Sequence, residues 1–83
     1  MIKILYFARY KDALNCSEEQ LDLTPGISTA ANLRDYLCER GAAWQSTVGD
    51  SRTLVAINQE ISNLDSPIND GDEVAFFPPV TGG

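Results

Sequence analysis

The residues of this chain best suited to chemistry are its last two, Gly82 and Gly83. Neither carries a Cβ, so the final two units can thread a channel too narrow for any side chain. Nothing bulky blocks attack at the terminal carbonyl carbon. With glycine at about 7% of residues in average proteins, chance gives such an ending roughly once in 200 chains. The plain alternative is a frayed end, because termini are where disorder collects. A chemical handle explains the doublet better.

Other reactive groups are sparse. The 83 residues include no histidine, which removes imidazole general-base chemistry and the commonest metal ligand. Cys16 and Cys38 are far apart in sequence, without Cys-x-x-Cys spacing, so a zinc site is not expected. Both read as small, partly buried side chains, with a sulfur relay as the weaker alternative. Asp70 and Asp72 flank Gly71 and read as solvated residues that shape a turn. No nucleophile stands near a base, so the chain is not expected to be catalytic alone.

One domain must hold this handle, since 83 residues leave no room for a second core. An apolar fraction of 43% is ordinary for a folded protein. Twelve acidic and six basic residues give a net charge of −6. That charge opposes nucleic acid and suits either basic partner surfaces or simple solubility. No apolar run reaches the roughly 20 residues of a membrane span. The first residues lack the features of a secretory signal, so the expected setting is cytoplasmic.

The positioning elements follow from periodicity. Residues 2–8 alternate with apolar residues on both faces, as a central strand does. The polar stretch from Tyr10 to Glu18 reads as a long hairpin connection, and residues 20–23 as a strand near an edge. Ser28 or Thr29 is placed to cap a helix whose inner face is Ala30, Leu33 and Leu37, with Tyr36 a further candidate for it. Arg40 falls in its expected last turn, and Gly41 at its C′ position. Trp44 and Val48 can anchor a short second turn, with Trp44 a core or shoulder residue. Residues 53–57 form a strand, Asn58-Gln59 a tight turn, and residues 60–62 a short return. After the turn at 69–72 comes a last strand, residues 73–77, stopped by Pro78-Pro79.

The fold class is therefore α+β: a small mixed sheet with one main helix on one face. Val74 and Phe76 are expected to join Ile2, Ile4 and Tyr6 beneath the helix. Leu5, Phe7, Ala75 and Phe77 are then left on the uncovered face. Such an apolar cluster is either a docking surface or the floor of a second small core closed by loops.

The segment Asp70-Gly71-Asp72-Glu73-Val74-Ala75-Phe76-Phe77-Pro78-Pro79-Val80-Thr81-Gly82-Gly83 resembles the small, sulfur-carrying subunits of molybdopterin synthase. Met1 to Arg9 and Val55 to Gln59 are similar to the same family, a ubiquitin-like β-grasp group. The resemblance implies a β-grasp domain over residues 1–79 and a flexible Gly-Gly tail over 80–83. It further implies adenylation of the Gly83 carboxylate by a ubiquitin-activating-like adenylyltransferase. A sulfur donor protein then leaves a thiocarboxylate on Gly83, and no cofactor is bound. The tail would enter the large synthase subunit and give sulfur to a cyclic pyranopterin precursor, building the dithiolene of the molybdenum cofactor. The implied assembly is a heterotetramer of two large and two small subunits. Gly83 is the implied reacting residue, Val80, Thr81 and Gly82 the channel segment, and Phe7, Ile61 and Phe77 the partner contacts.

These steps make physical demands that the residues meet. A carboxylate is a poor electrophile, and an acyl-adenylate supplies its leaving group. Residues 80–83, fully extended, span about 13–14 Å. Two prolines stiffen the base of that stalk, reducing the entropy lost on insertion. Two alternatives keep the same tail: a carrier for thiazole or another thio-metabolite, and a ubiquitin-like protein modifier. Only Lys3 and Lys11 are available for chain building, which disfavours polymerisation. A plain interaction domain, for which the tail is dispensable, is the third.

Overall fold

Five strands order themselves as β2-β1-β5-β3-β4 in the computed structural model, which describes residues 1–79. The strands are β1 (Ile2–Tyr6), β2 (Glu18–Leu21), β3 (Leu54–Ile57), β4 (Glu60–Ser62) and β5 (Glu73–Phe77). Between them lie α1 (Arg9–Leu14), α2 (Ala30–Cys38) and α3 (Ala42–Gln45). β5 occupies the centre, parallel to β1 and antiparallel to β3. β2 and β4 are the outer strands, each antiparallel to its neighbour. This is the mixed α+β sheet expected of a β-grasp protein.

The core forms where the strand alternation meets the helices. Ile2, Ile4 and Tyr6 of β1 and Val74 and Phe76 of β5 are buried, as are Ala30, Leu33 and Leu37 of α2. Tyr36 is exposed and takes no part in the inner face. Thr29 caps α2: its side chain accepts from the Asn32 N–H at 3.2 Å, while Asn32 Oδ1 accepts from the Thr29 N–H at 3.1 Å. The Ala30 and Ala31 N–H groups donate to the Ser66 and Leu64 carbonyls. A loop far downstream in the sequence thus satisfies donors that every helix start leaves open.

Several expectations need correction. The stretch from Tyr10 to Glu18 does join the antiparallel pair β1 and β2, but part of it is helical, because Tyr10 is fully buried and one short helix carries it into the core. Its hydroxyl lies 2.6 Å from Thr53 Oγ1. β1 stops at Tyr6, two residues early, where the chain turns sharply at Ala8. β2 begins at Glu18, so its pairing precedes the alternation seen at residues 20–23. Arg40 lies beyond α2, whose last residue is Cys38, and it reaches across to Glu19 instead. Gly41 has φ 136°, but it serves as N-cap of α3 rather than closing α2. Trp44 lies in α3 while Val48 lies beyond it, buried in the same core. Trp44 is a shoulder residue as expected, its ring edge-on to Tyr6 at 5.5 Å.

A candidate docking face on the open side of the sheet

The face of the sheet away from the helices is built by register. Leu5 pairs with Ala75, Ala75 with Ala56, and Ala56 with Ile61, making one outward row across four strands. Beside it, Leu54 pairs with Phe77. Phe7 extends the line of β1 through its N–H, which donates to the Phe76 carbonyl at 3.3 Å. Its ring meets Phe77 edge-on, with centroids 6.5 Å apart and planes at 75°. Phe7 and Ile61 remain 48% and 73% exposed, which is unusual for large apolar side chains and points to a covering partner.

Within this face is a concavity of about 560 Å³ lined by Phe7, Ala8, Ala56, Gln59, Ala75, Phe77 and the two prolines, with Glu73 at its margin. Its shape has a simple cause. Ala56 and Ala75 are paired small residues, and taller side chains stand around them. They are 7% exposed each because they form a floor, not because another layer covers them. The alternative in which loops close a second core is absent from the described residues. Sequence reasoning located Leu5, Phe7, Ala75 and Phe77 on this face but missed Ala8, Ala56 and Gln59. The alternation of Leu54 and Ala56 against Val55 and Ile57 was the available signal.

Phe7 and Phe77 therefore share one surface, and Ile61 stands at the far end of its central row. Val80, Thr81, Gly82 and Gly83 lie outside the described residues. Pro78 and Pro79, which lead to them, line the concavity.

The opposite side carries a polar lock. Arg40 donates from both terminal nitrogens to Glu19, at 2.8 and 2.9 Å, and its guanidinium sits 4.6 Å from the Trp44 ring centre. The buried Tyr6 hydroxyl donates to the same carboxylate at 2.8 Å. The Arg40 hydrogen bonds outweigh desolvation and hold the Glu19 carboxyl below its usual range. Burial, then the bond to Glu19, pushes the Tyr6 phenol far up, so it stays a neutral donor.

Neither cysteine belongs to the face. Both are free and partly buried, and burial is the main cause raising each thiol above its ordinary value. Protonated thiols are poor nucleophiles, which disfavours a sulfur relay. Asp72 accepts from the Asn69 N–H at 2.8 Å and from Asn58 Nδ2 at 3.0 Å, while Asp70 pairs with the chain's amino terminus. Both acids shape the turn. Among the described residues, no group of three or more His, Cys, Asp or Glu could hold a metal ion, and no helix is long and apolar enough to cross a membrane.

A ubiquitin-like β-grasp domain with an open aromatic face is thus the class that fold and surface define. The chain belongs to the ThiS family, whose model matches residues 4–83. It is 39% identical to the molybdopterin synthase sulfur carrier subunit of Haemophilus influenzae and 37% identical to that of Escherichia coli, over the full length of both partners in each comparison. Among solved structures it resembles SAMP1 from Haloferax volcanii, with TM-score 0.78, 28% identity, and coverage of 99% of this chain and 98% of that one. It also shares the fold of a protein in a complex of subunits 1 and 2 of the molybdopterin-converting factor from Helicobacter pylori. There the TM-score is 0.67 at 23% identity, covering 99% and 97% of the two chains.

Proposed function

We propose that this protein is the sulfur-carrier subunit of a molybdopterin synthase and works in the cytoplasm. The observation that carries the reading is contiguity: the concavity that exposes Phe7 and Phe77 is also lined by Pro78 and Pro79, the base of the Gly-Gly stalk. A partner seated on the face therefore receives the tail directly. Full-length similarity to carriers so named supports it.

In this reading an adenylyltransferase attaches AMP to the Gly83 carboxylate, releasing pyrophosphate from ATP. Sulfide-level sulfur supplied by a donor protein attacks the acyl carbon, expels AMP and leaves a terminal thiocarboxylate. The large synthase subunit then docks on Phe7, Ile61 and Phe77, and the segment Val80-Thr81-Gly82 threads its channel. The sulfur bonds to the pyranopterin precursor, and water then cleaves the resulting thioester, leaving sulfur on the pterin and regenerating the Gly83 carboxylate. The chain itself contributes no acid or base to the transfer. Docking anchors and a slender tail are its contribution, and binding energy at the face is used to place the reacting atom.

The test is reconstitution with adenylyltransferase, ATP and sulfur donor, followed by intact-mass measurement. Conversion at Gly83 replaces one oxygen by sulfur. A second reading, a ubiquitin-like modifier, is favoured by the likeness to SAMP1. It predicts instead a branched Gly-Gly remnant on lysines of other proteins.

A further inference from the structure

We propose that Ala8 is a positioning residue for partner docking, a strained hinge that fixes the Phe7 ring on the open face; the proposal rests on the docking reading above. Ala8 has φ 54° and ψ −135°. With the Tyr10 N–H donating to the Phe7 carbonyl at 3.1 Å, residues 7–10 form a tight turn whose first central position normally takes glycine. Ala8 is also the N-cap of α1, and its side chain makes no capping hydrogen bond. Glycine is preferred over alanine at that position too. Two local rules thus disfavour the same residue, and such violations concentrate where function requires them.

The surroundings show what enforces the conformation. On one side Phe7 is tied to β5 through the Phe76 carbonyl, with its ring against Phe77 on the open face. On the other, Tyr10 is fully buried and its hydroxyl contacts Thr53. The chain must pass from the open face to the core within three residues, and a turn with positive φ accomplishes this. Ala8 lines the concavity together with Phe7. Glycine would relieve the strain, but it would widen the conformations open to the turn that carries Phe7. Ala8 therefore trades fold stability for a pre-ordered aromatic anchor.

Ala8→Gly tests this with two readouts: thermal unfolding of the free protein, and calorimetric titration with the molybdopterin synthase large subunit. Tm should rise, while Kd should weaken about threefold to tenfold, the range expected when an anchoring side chain must be ordered on binding. A purely structural role would move both quantities in the same sense. A lower Tm, or a Kd equal to that of the parent, overturns the proposal. Phe77→Ala is the reference variant. If it weakens binding and Ala8→Gly does not, only the role of Ala8 fails. If neither weakens binding, the docking reading fails with it.

Discussion

Phe77 joins two environments, because β5 holds its backbone at the centre of the sheet while its ring leans on Phe7 at the open face. Its truncation should therefore divide unevenly. Phe77→Ala is expected to weaken binding of the large subunit by about 2 kcal/mol or more, as central aromatic anchors do. Titration and thermal unfolding, compared side by side, should show affinity falling far more than stability. Glu19 behaves in the opposite way, since its bonds to Arg40 and Tyr6 lie on the helix side. Glu19→Gln should cost about 1–2 kcal/mol of stability and leave docking intact. The pH dependence has a definite sign: the folded carboxyl titrates below its unfolded value. Its contribution is complete above the unfolded pKa of about 4.3 and is lost as pH falls through the lower folded value. Denaturation midpoints should thus converge between parent and Glu19→Gln in acid. Residue chemistry of this kind was hidden in the sequence, where Glu19 and Arg40 stand 21 positions apart. Their pairing requires β2 to lie beside β1 and α2 to end before Arg40.

At the scale of elements, local signals were readable where they were strong. Ser28 or Thr29 announced the start of α2, where Thr29 is the cap, and the alternation of β1, β3 and β5 assigns their faces. The two-residue turn between β3 and β4 was legible from Asn58-Gln59, which adopt φ 52° and 70°. α1 was not legible because six residues cannot establish a helical period, and only the burial of Tyr10 gives them a reason to coil. The open face was half legible. Alternation gave its aromatic residues, but the concavity depends on Ala56 meeting Ala75, a matter of register between strands distant in sequence. The β3–β4 turn also offers a test. Asn58 donates through Nδ2 to Asp72 and accepts the Glu73 N–H at Oδ1, fastening the hairpin to the start of β5. Asn58→Ala removes both bonds and places a less tolerant residue at positive φ. Chemical denaturation should reveal a loss of about 1–2 kcal/mol.

For the molecule as a whole, the proposed function divides the labour between the β-grasp domain and its last four residues. Among the described residues the buried core cluster ends at Phe76, so shortening the chain by Gly83 is expected to leave Tm unchanged. The same deletion should abolish sulfur loading, because the carboxylate that remains sits one residue short of the adenylating site. Loading of the intact chain is accordingly the most direct measurement. Purified protein is incubated with ATP, the adenylyltransferase and a sulfur donor, and its intact mass is recorded. A gain equal to the difference between sulfur and oxygen, located at Gly83 by fragmentation, is the predicted result. An unchanged mass, with the same enzymes active on another carrier, would contradict the account.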